Sequence, residues 1–170
     1  MTMTLIAARN RDYGIGRKND LLCRIPEDMR FFKERTSGKA IITGHSTFKS
    51  FKDGKPLADR LNIVLSRDVS LKIDGALVCH SLNGLFSLLK ARGVNVAFVI
   101  GGQSVYELLA DYCGEALITE IDDEAEADAF LAGVAPPRWR LETRSDTRNY
   151  NGLKYSFCRY INTEIKVPPV

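Results

Sequence analysis

Five short apolar runs, each separated from the next by a helical or polar stretch, constrain this chain more than any other feature: "TLIAA" (4–8), "KAIIT" (39–43), "LNIVLS" (61–66), "NVAFVI" (95–100) and "ALITEI" (116–121). All are rich in Ile, Val and Leu without strict alternation, the pattern of strands covered on both faces. The clearest helical pattern is "SLNGLFSLLKARG", where Leu82, Leu85, Phe86 and Leu89 fall at i, i+3, i+4 and i+7, Ser81 stands as N-cap and Gly93 lies past the end. Alternation of this kind predicts an α/β fold with a mainly parallel sheet.

The C-terminal part follows a different rule. "RWRLET" and "LKYSFCRYI" alternate apolar with polar residues, and "NYNG" between them carries a turn signal at Asn151 and Gly152. An antiparallel hairpin is therefore expected to close one edge of the sheet. At 170 residues, with no linker or repeat, the chain reads as one domain, and "KVPPV" at its end as a loose tail.

The net charge of +3 is small, and the Lys and Arg residues are scattered, which argues against a nucleic-acid partner. No apolar run approaches the roughly 18 residues of a membrane span, and the start lacks a charged leader before a long apolar core, so a cytoplasmic protein is expected. Cys23, Cys79, Cys113 and Cys158 are far apart and read as reduced packing residues. With His45 and His80 the only histidines, no metal site is expected.

One acid faces an unexpected way. In "IPEDMRFFKE", Pro26 suits a first helical position. At about 100° per residue, Met29, Phe31 and Phe32 define an apolar face, while Glu27, Arg30, Lys33 and Glu34 gather opposite. Asp28 falls between Phe31 and Phe32. It serves either the helix dipole or a partner on the interior side, and the helix alone does not decide.

Ligands of open α/β sheets bind beyond the carboxyl ends of the strands. Three such ends here are suggestive. "FVIGGQSVYELL" runs from strand through Gly101-Gly102 into a helix, "IITGHSTF" repeats the pattern with Gly44, His45, Ser46 and Thr47, and "IVLSRD" ends a strand with Ser66 and Arg67. Each can be a plain turn or a phosphate-holding one. Together they suit a dinucleotide with an extra phosphate, although the G-x-G-x-x-G fingerprint of a standard Rossmann domain is missing. The acidic run Asp122 to Asp128 reads as a solvated loop, with a metal site as the alternative.

Taken together, "LIAARNRDYGIG", "IPEDMRFFK", "GHSTF", "NIVLSR" and above all "VIGGQSVYE" resemble the dihydrofolate reductase family, in the family's order and across nearly the whole chain. The resemblance implies a single-domain fold, residues 1–163, with a mixed, mostly parallel central sheet flanked by helices and a C-terminal antiparallel hairpin, followed by a tail, 164–170. It implies NADPH-dependent reduction of 7,8-dihydrofolate, with dihydrofolate and antifolates as ligands and a monomeric state.

The resemblance also implies residue roles. Asp28 matches the carboxylate that accepts hydrogen bonds from the pterin's 2-amino group and ring N3, Thr119 the hydroxyl supporting it, and Tyr106 the tyrosine near the nicotinamide; these three form the implied catalytic set. Ile6, Ala8, Met29, Phe32, Phe51, Leu57 and Ile100 match pocket-lining positions, and Arg60 the arginine on the substrate's glutamate tail. For the cofactor, the matched positions are Ala8, Ile15, Gly16, Asn19, Gly44, His45, Ser46, Thr47, Leu65, His80, Ile100 and Tyr106. Ser66 and Arg67 are added for the 2'-phosphate, and Gly101, Gly102, Gln103, Ser104 and Val105 for the pyrophosphate. Asp128 matches an acid that steadies a loop over the site, here about Asn10 to Arg24. The chain departs from the family pattern at Leu22-Cys23, usually Pro-Trp, and at Thr43-Gly44-His45, usually Met-Gly-Arg. Two alternatives remain: a riboflavin-pathway pyrimidine reductase, disfavoured by Asp28 with Arg60, and a folate- or NADPH-binding paralogue without catalysis.

Overall fold

The computed structural model describes residues 1–169. The chain runs β1 (Thr2–Arg9), β2 (Gly14–Arg17), β3 (Asp20–Leu21), α1 (Pro26–Thr36), β4 (Ala40–Gly44), α2 (His45–Lys49), β5 (Leu61–Leu65), β6 (Leu77–Cys79), α3 (Leu82–Ala91) and β7 (Val96–Gly101). It continues through α4 (Gln103–Leu109), β8 (Glu115–Asp122), β9 (Ala129–Phe130), β10 (Trp139–Arg144), β11 (Arg148–Tyr150) and β12 (Leu153–Asn162). A nine-stranded sheet is ordered β10-β12-β8-β1-β7-β4-β5-β6, with β11 also paired to β12. From β8 to β6 every neighbouring pair is parallel, and β12 closes the other side antiparallel to β8. The five apolar runs become β1, β4, β5, β7 and β8.

Two-residue periodicity explains why those runs are apolar throughout. Leu5, Ile42, Ile63 and Val99 pack with Leu85, Leu89, Leu109 and Trp139 on one face of the sheet. Ile6, Ile41, Phe98 and Ile100 point the other way, toward Phe31, Phe32, Phe51 and Leu57. Burying one such aliphatic side chain contributes about 1.5–3 kcal/mol.

The expected hairpin is present in a different form. Asn151 and Gly152, at φ +49° and +85°, join β11 to β12 with Tyr150 opposite Leu153. "RWRLET" pairs further along, with Trp139 opposite Asn162. The ten-residue β12 is long enough to take both partners along one edge. The end of the chain is also tied rather than loose as far as Lys166, whose N–H donates to the Asp111 carbonyl at 2.8 Å and whose ammonium lies 2.6 Å from the Asp111 carboxylate. Among the described residues, no helix is long and apolar enough to cross a membrane.

Candidate active site

The start of α1 crosses the carboxyl half of the sheet with Pro26 in its first turn and Ile25, 1% exposed, anchoring the entry. This brings Asp28 over β8, where the Thr119 hydroxyl donates to Asp28 Oδ1 at 2.5 Å. Thr119 is 1% exposed, so the pair sits at the floor of the cleft. Burial pushes the Asp28 carboxyl above the usual carboxylate range, and the Thr119 hydrogen bond offsets part of that rise. Glu27, on the polar side as its helical position suggests, pairs with the exposed Arg148 at 2.9 Å and accepts from the Tyr155 hydroxyl at 3.1 Å. Helical angle alone could not reveal this, because the partners come from β11 and β12.

The α1 face that carries Asp28 meets apolar side chains from the sheet and from the segment before β5. Ile6 and Ile100 pack with Phe32, Phe51 and Leu57, Ala8 packs beside Ile25 and Cys23, and Met29 stands at the rim, 40% exposed. Arg60 lies beyond Phe32, its guanidinium 6.0 Å from the Phe32 ring centroid and its Nε buried without a hydrogen-bond partner. Burial draws that guanidinium below its ordinary value, against the pull of Asp59. Asn62, which sequence reasoning missed, sets the loop: its side chain accepts from Leu57 N–H at 2.9 Å and donates to the Leu57 and Arg60 carbonyls at 2.9 and 3.0 Å. An Asn inside "LNIVLS", an otherwise apolar strand, was the available signal.

The two glycine turns face each other across β4 and β7. Gly101 takes φ +108°, and a Cβ there would lie 3.0–3.1 Å from the Tyr106 ring. A Cβ on Gly102 would lie 2.9 Å from Thr47 Oγ1, so the cradle between α2 and α4 admits only glycine without displacement. The Thr43 hydroxyl donates to the Gly101 carbonyl at 2.8 Å and ties the turns together. Tyr106 is buried and donates its hydroxyl to the Ile6 carbonyl at 2.8 Å; burial first, and the nearby Asp28 second, raise its phenol well above the usual value. Val105 is buried and Ser104 exposed. Gln103 Oε1 accepts from Phe130 N–H at 2.9 Å. Leu65, Ser66 and Arg67 leave β5 beside His80, whose Nδ1 lies 2.9 Å from the Ser66 carbonyl oxygen.

The segment Asn10–Arg24 folds over this edge as β2 and β3 joined through Lys18 and Asn19, both at positive φ, with β2 also paired to β9. Gly16 is buried and Ile15 packs against the main core. Asn19 Nδ2 donates to the Ser46 carbonyl at 2.8 Å, reaching the first turn of α2. The acidic run is the docking partner of this segment: Asp122 and Glu124 pair with Arg11, Glu126 with Arg17, and Asp128 accepts from Lys18 N–H at 2.9 Å. Arg9 lies beneath, 3% exposed, and donates to Glu120 and to the Leu131 and Val134 carbonyls. A charged residue ending an apolar strand was its only mark in the sequence.

A family model described as "Dihydrofolate reductase" matches residues 2–162. The dihydrofolate reductase of Neisseria meningitidis serogroup B is 35% identical over 162 residues, covering 95% of this chain and 98% of that protein. That of Staphylococcus aureus strain Mu50 is 29% identical over 163 residues, covering 95% and 98%. A solved structure, "Dihydrofolate reductase from Enterococcus faecalis complexed with NADP(H)and RAB-propyl", superposes with a TM-score of 0.83 at 24% identity, covering 95% of this chain and 96% of that one. A family model spanning nearly every strand and helix described above, and relatives covered almost end to end, lead to one conclusion: the chain belongs to the dihydrofolate reductase family.

Proposed function

We propose that the chain reduces 7,8-dihydrofolate to tetrahydrofolate with NADPH, and that Asp28 is the residue that recognises the pterin. The observation that carries this is a carboxylate held in an apolar cleft with a single hydroxyl partner, Thr119. One oxygen edge is left for a ligand. An amino-pyrimidine edge fills it with two charge-assisted bonds, roughly twice as strong as neutral ones. Ile6, Ala8, Met29, Phe32, Phe51, Leu57 and Ile100 hold the ring and the aromatic part of the tail, and the unpartnered Arg60 takes the tail carboxylate.

The glycine turn fits a nucleotide cofactor: without side chains at Gly101 and Gly102, Tyr106 and Thr47 close in on the turn and its bare backbone N–H groups are left for phosphate. Gly101 to Val105 and Thr47 hold the pyrophosphate, Ser66 and Arg67 the 2'-phosphate, and Ile15, Gly16, Asn19 and the turn Gly44 to Ser46 enclose the rest. NADPH, when bound, supplies a hydride for pterin C6. The chain's own part is to align the rings, exclude bulk water with the Asn10–Arg24 segment, and keep Asp28 available to favour protonation at pterin N5 through the ring it holds. Proton assistance of this kind is worth about 10²- to 10⁴-fold. Tyr106, its hydroxyl engaged by Ile6, acts as a positioning residue beneath Gly101. The large exposed apolar side chains are dispersed over Leu21, Val69, Leu108 and Leu141, among others, which supports a monomer, and the net charge of only +3 with scattered Lys and Arg supports a partner set without nucleic acid; the place of action proposed is the cytoplasm.

The test is a turnover assay. Purified protein should consume the absorbance of reduced nicotinamide only once dihydrofolate is added. NADPH binding with no such loss, at any enzyme concentration, would favour the binding paralogue instead.

A further inference from the structure

Consecutive residues at the start of α1 are fastened to adjacent strands. Asp28 accepts from the Thr119 hydroxyl of β8. Glu27 spends both of its oxygens on the β11–β12 hairpin: Oε1 accepts from the Tyr155 hydroxyl at 3.1 Å and Oε2 from Arg148 Nη1 at 2.9 Å. Arg148 and Tyr155 stand opposite one another across that hairpin. Tyr155 also pairs with Ile121 of β8, two residues along from Thr119, which pairs with Phe157. The two ties are therefore neighbouring rungs, one on β8 and one on β12.

The first turn of α1 has few other polar anchors. Ile25, at the N-cap, makes no side-chain hydrogen bond, and Pro26 brings no N–H. The tie to Thr119 alone would leave the helix free to turn about its axis. Consecutive helical side chains point about 100° apart, so a second tie at Glu27 fixes that rotation. Aromatic packing braces the hairpin side: the Phe157 centroid lies 4.8 Å from that of Phe31 in α1 and 5.8 Å from that of Tyr155, and the Arg148 guanidinium lies 5.6 Å from it. Stability does not account for the Glu27–Arg148 pair. Its side chains are 33% and 49% exposed, and an ion pair so open to water contributes little to folding.

We infer that Glu27, Arg148 and Tyr155 are positioning residues: together they set the rotation of α1 and so aim the free oxygen of Asp28 into the pterin site, without touching the ligand themselves. This rests on the reading of Asp28 as the pterin's partner. A carboxylate turned away from that direction offers the amino-pyrimidine edge one good hydrogen bond instead of two, and a misplacement of about 1 Å can cost about a hundredfold in rate.

The experiment measures dihydrofolate kinetics and NADPH affinity for Glu27→Ala and Tyr155→Phe, each alone and each combined with Asp28→Asn. Alone, Glu27→Ala should lower kcat/KM for dihydrofolate about tenfold or more, with NADPH affinity and the thermal midpoint nearly unchanged. Tyr155→Phe keeps the ring and should lower it in the same direction by about threefold. Glu27→Gln keeps an acceptor for the Tyr155 hydroxyl and should recover most of the loss. In the Asp28→Asn background neither substitution should cost more than about twofold, because residues that act through one carboxylate are not additive. Equal losses in both backgrounds, a parallel fall in NADPH affinity, or an unchanged kcat/KM in Glu27→Ala overturns the inference and leaves the reductase reading intact. Wild-type turnover in Asp28→Asn alone overturns the reading of Asp28 and the inference with it.

Discussion

Two helices lie on opposite faces of the same sheet, and they use their apolar residues differently. In α3 the stripe is completed by the core: Leu85 and Leu89 are 0% exposed, Phe86 is 6% exposed, and the Ser81 side chain caps the start by accepting from Gly84 N–H. In α1 only Thr36 is buried. Phe31 and Phe32 are half-covered, and the stripe contains a carboxylate. Leaving apolar surface in water forgoes about 25 cal/mol per Å², so a helix that leaves its stripe half-covered is not completing a core. On the proposed reading it forms one wall of the pterin site.

Substitutions that separate stability from binding test the distinction. The largest effect is expected at Leu89→Ala, which should cost about 2–5 kcal/mol in chemical denaturation while leaving the KM for dihydrofolate unchanged at temperatures where the variant is folded. An equal stability loss for Phe32→Ala would erase the difference between the helices. Next comes Arg60→Leu. Losing charge-assisted hydrogen bonds worth about 1.5–3 kcal/mol should raise the KM for dihydrofolate by about ten- to a hundredfold, with kcat nearly constant and no change for a pterin substrate lacking the glutamate tail. A matching rise for the tailless substrate would show that Arg60 only supports the fold. The smallest effect is at the α3 cap, where Ser81→Ala should cost about 1 kcal/mol of stability and nothing in kinetics.

What the sequence made legible follows the same division. Strands buried on both faces announce themselves as unbroken apolar runs, and α3 through its cap and spacing, because burial leaves little choice of residue. Asp28 was legible for the opposite reason, as a residue that burial alone would not select. The short strands β2, β3, β6, β9 and β11 were not, since two to four residues carry no usable period. The ties that shape the site escaped notice too: Thr43 to Gly101, Asn62 to Leu57 and Arg60, and Glu27 to Arg148 all join residues distant in sequence or polar groups whose partners only the fold reveals. The acidic run was read as solvated because its partners, Arg11, Arg17 and the Lys18 amide, sit more than a hundred residues away.

The raised Asp28 carboxyl turns the comparison into a direct test. The folded chain holds that proton more tightly than the unfolded chain, so ionisation opposes folding: the associated stability is present in acid and is lost as pH rises from the ordinary carboxylate value through the raised one. Removing the charge should therefore help the fold at neutral pH while removing the pterin's anchor. The decisive measurement is the denaturation midpoint of wild type and Asp28→Asn at neutral pH, on samples whose dihydrofolate turnover is recorded alongside. The expected result is a midpoint equal to or above wild type, with the gain vanishing in acid, and turnover down by about a hundredfold or more. A lowered midpoint with turnover retained would show that Asp28 serves the core or the helix, and that the half-covered face of α1 awaits no pterin.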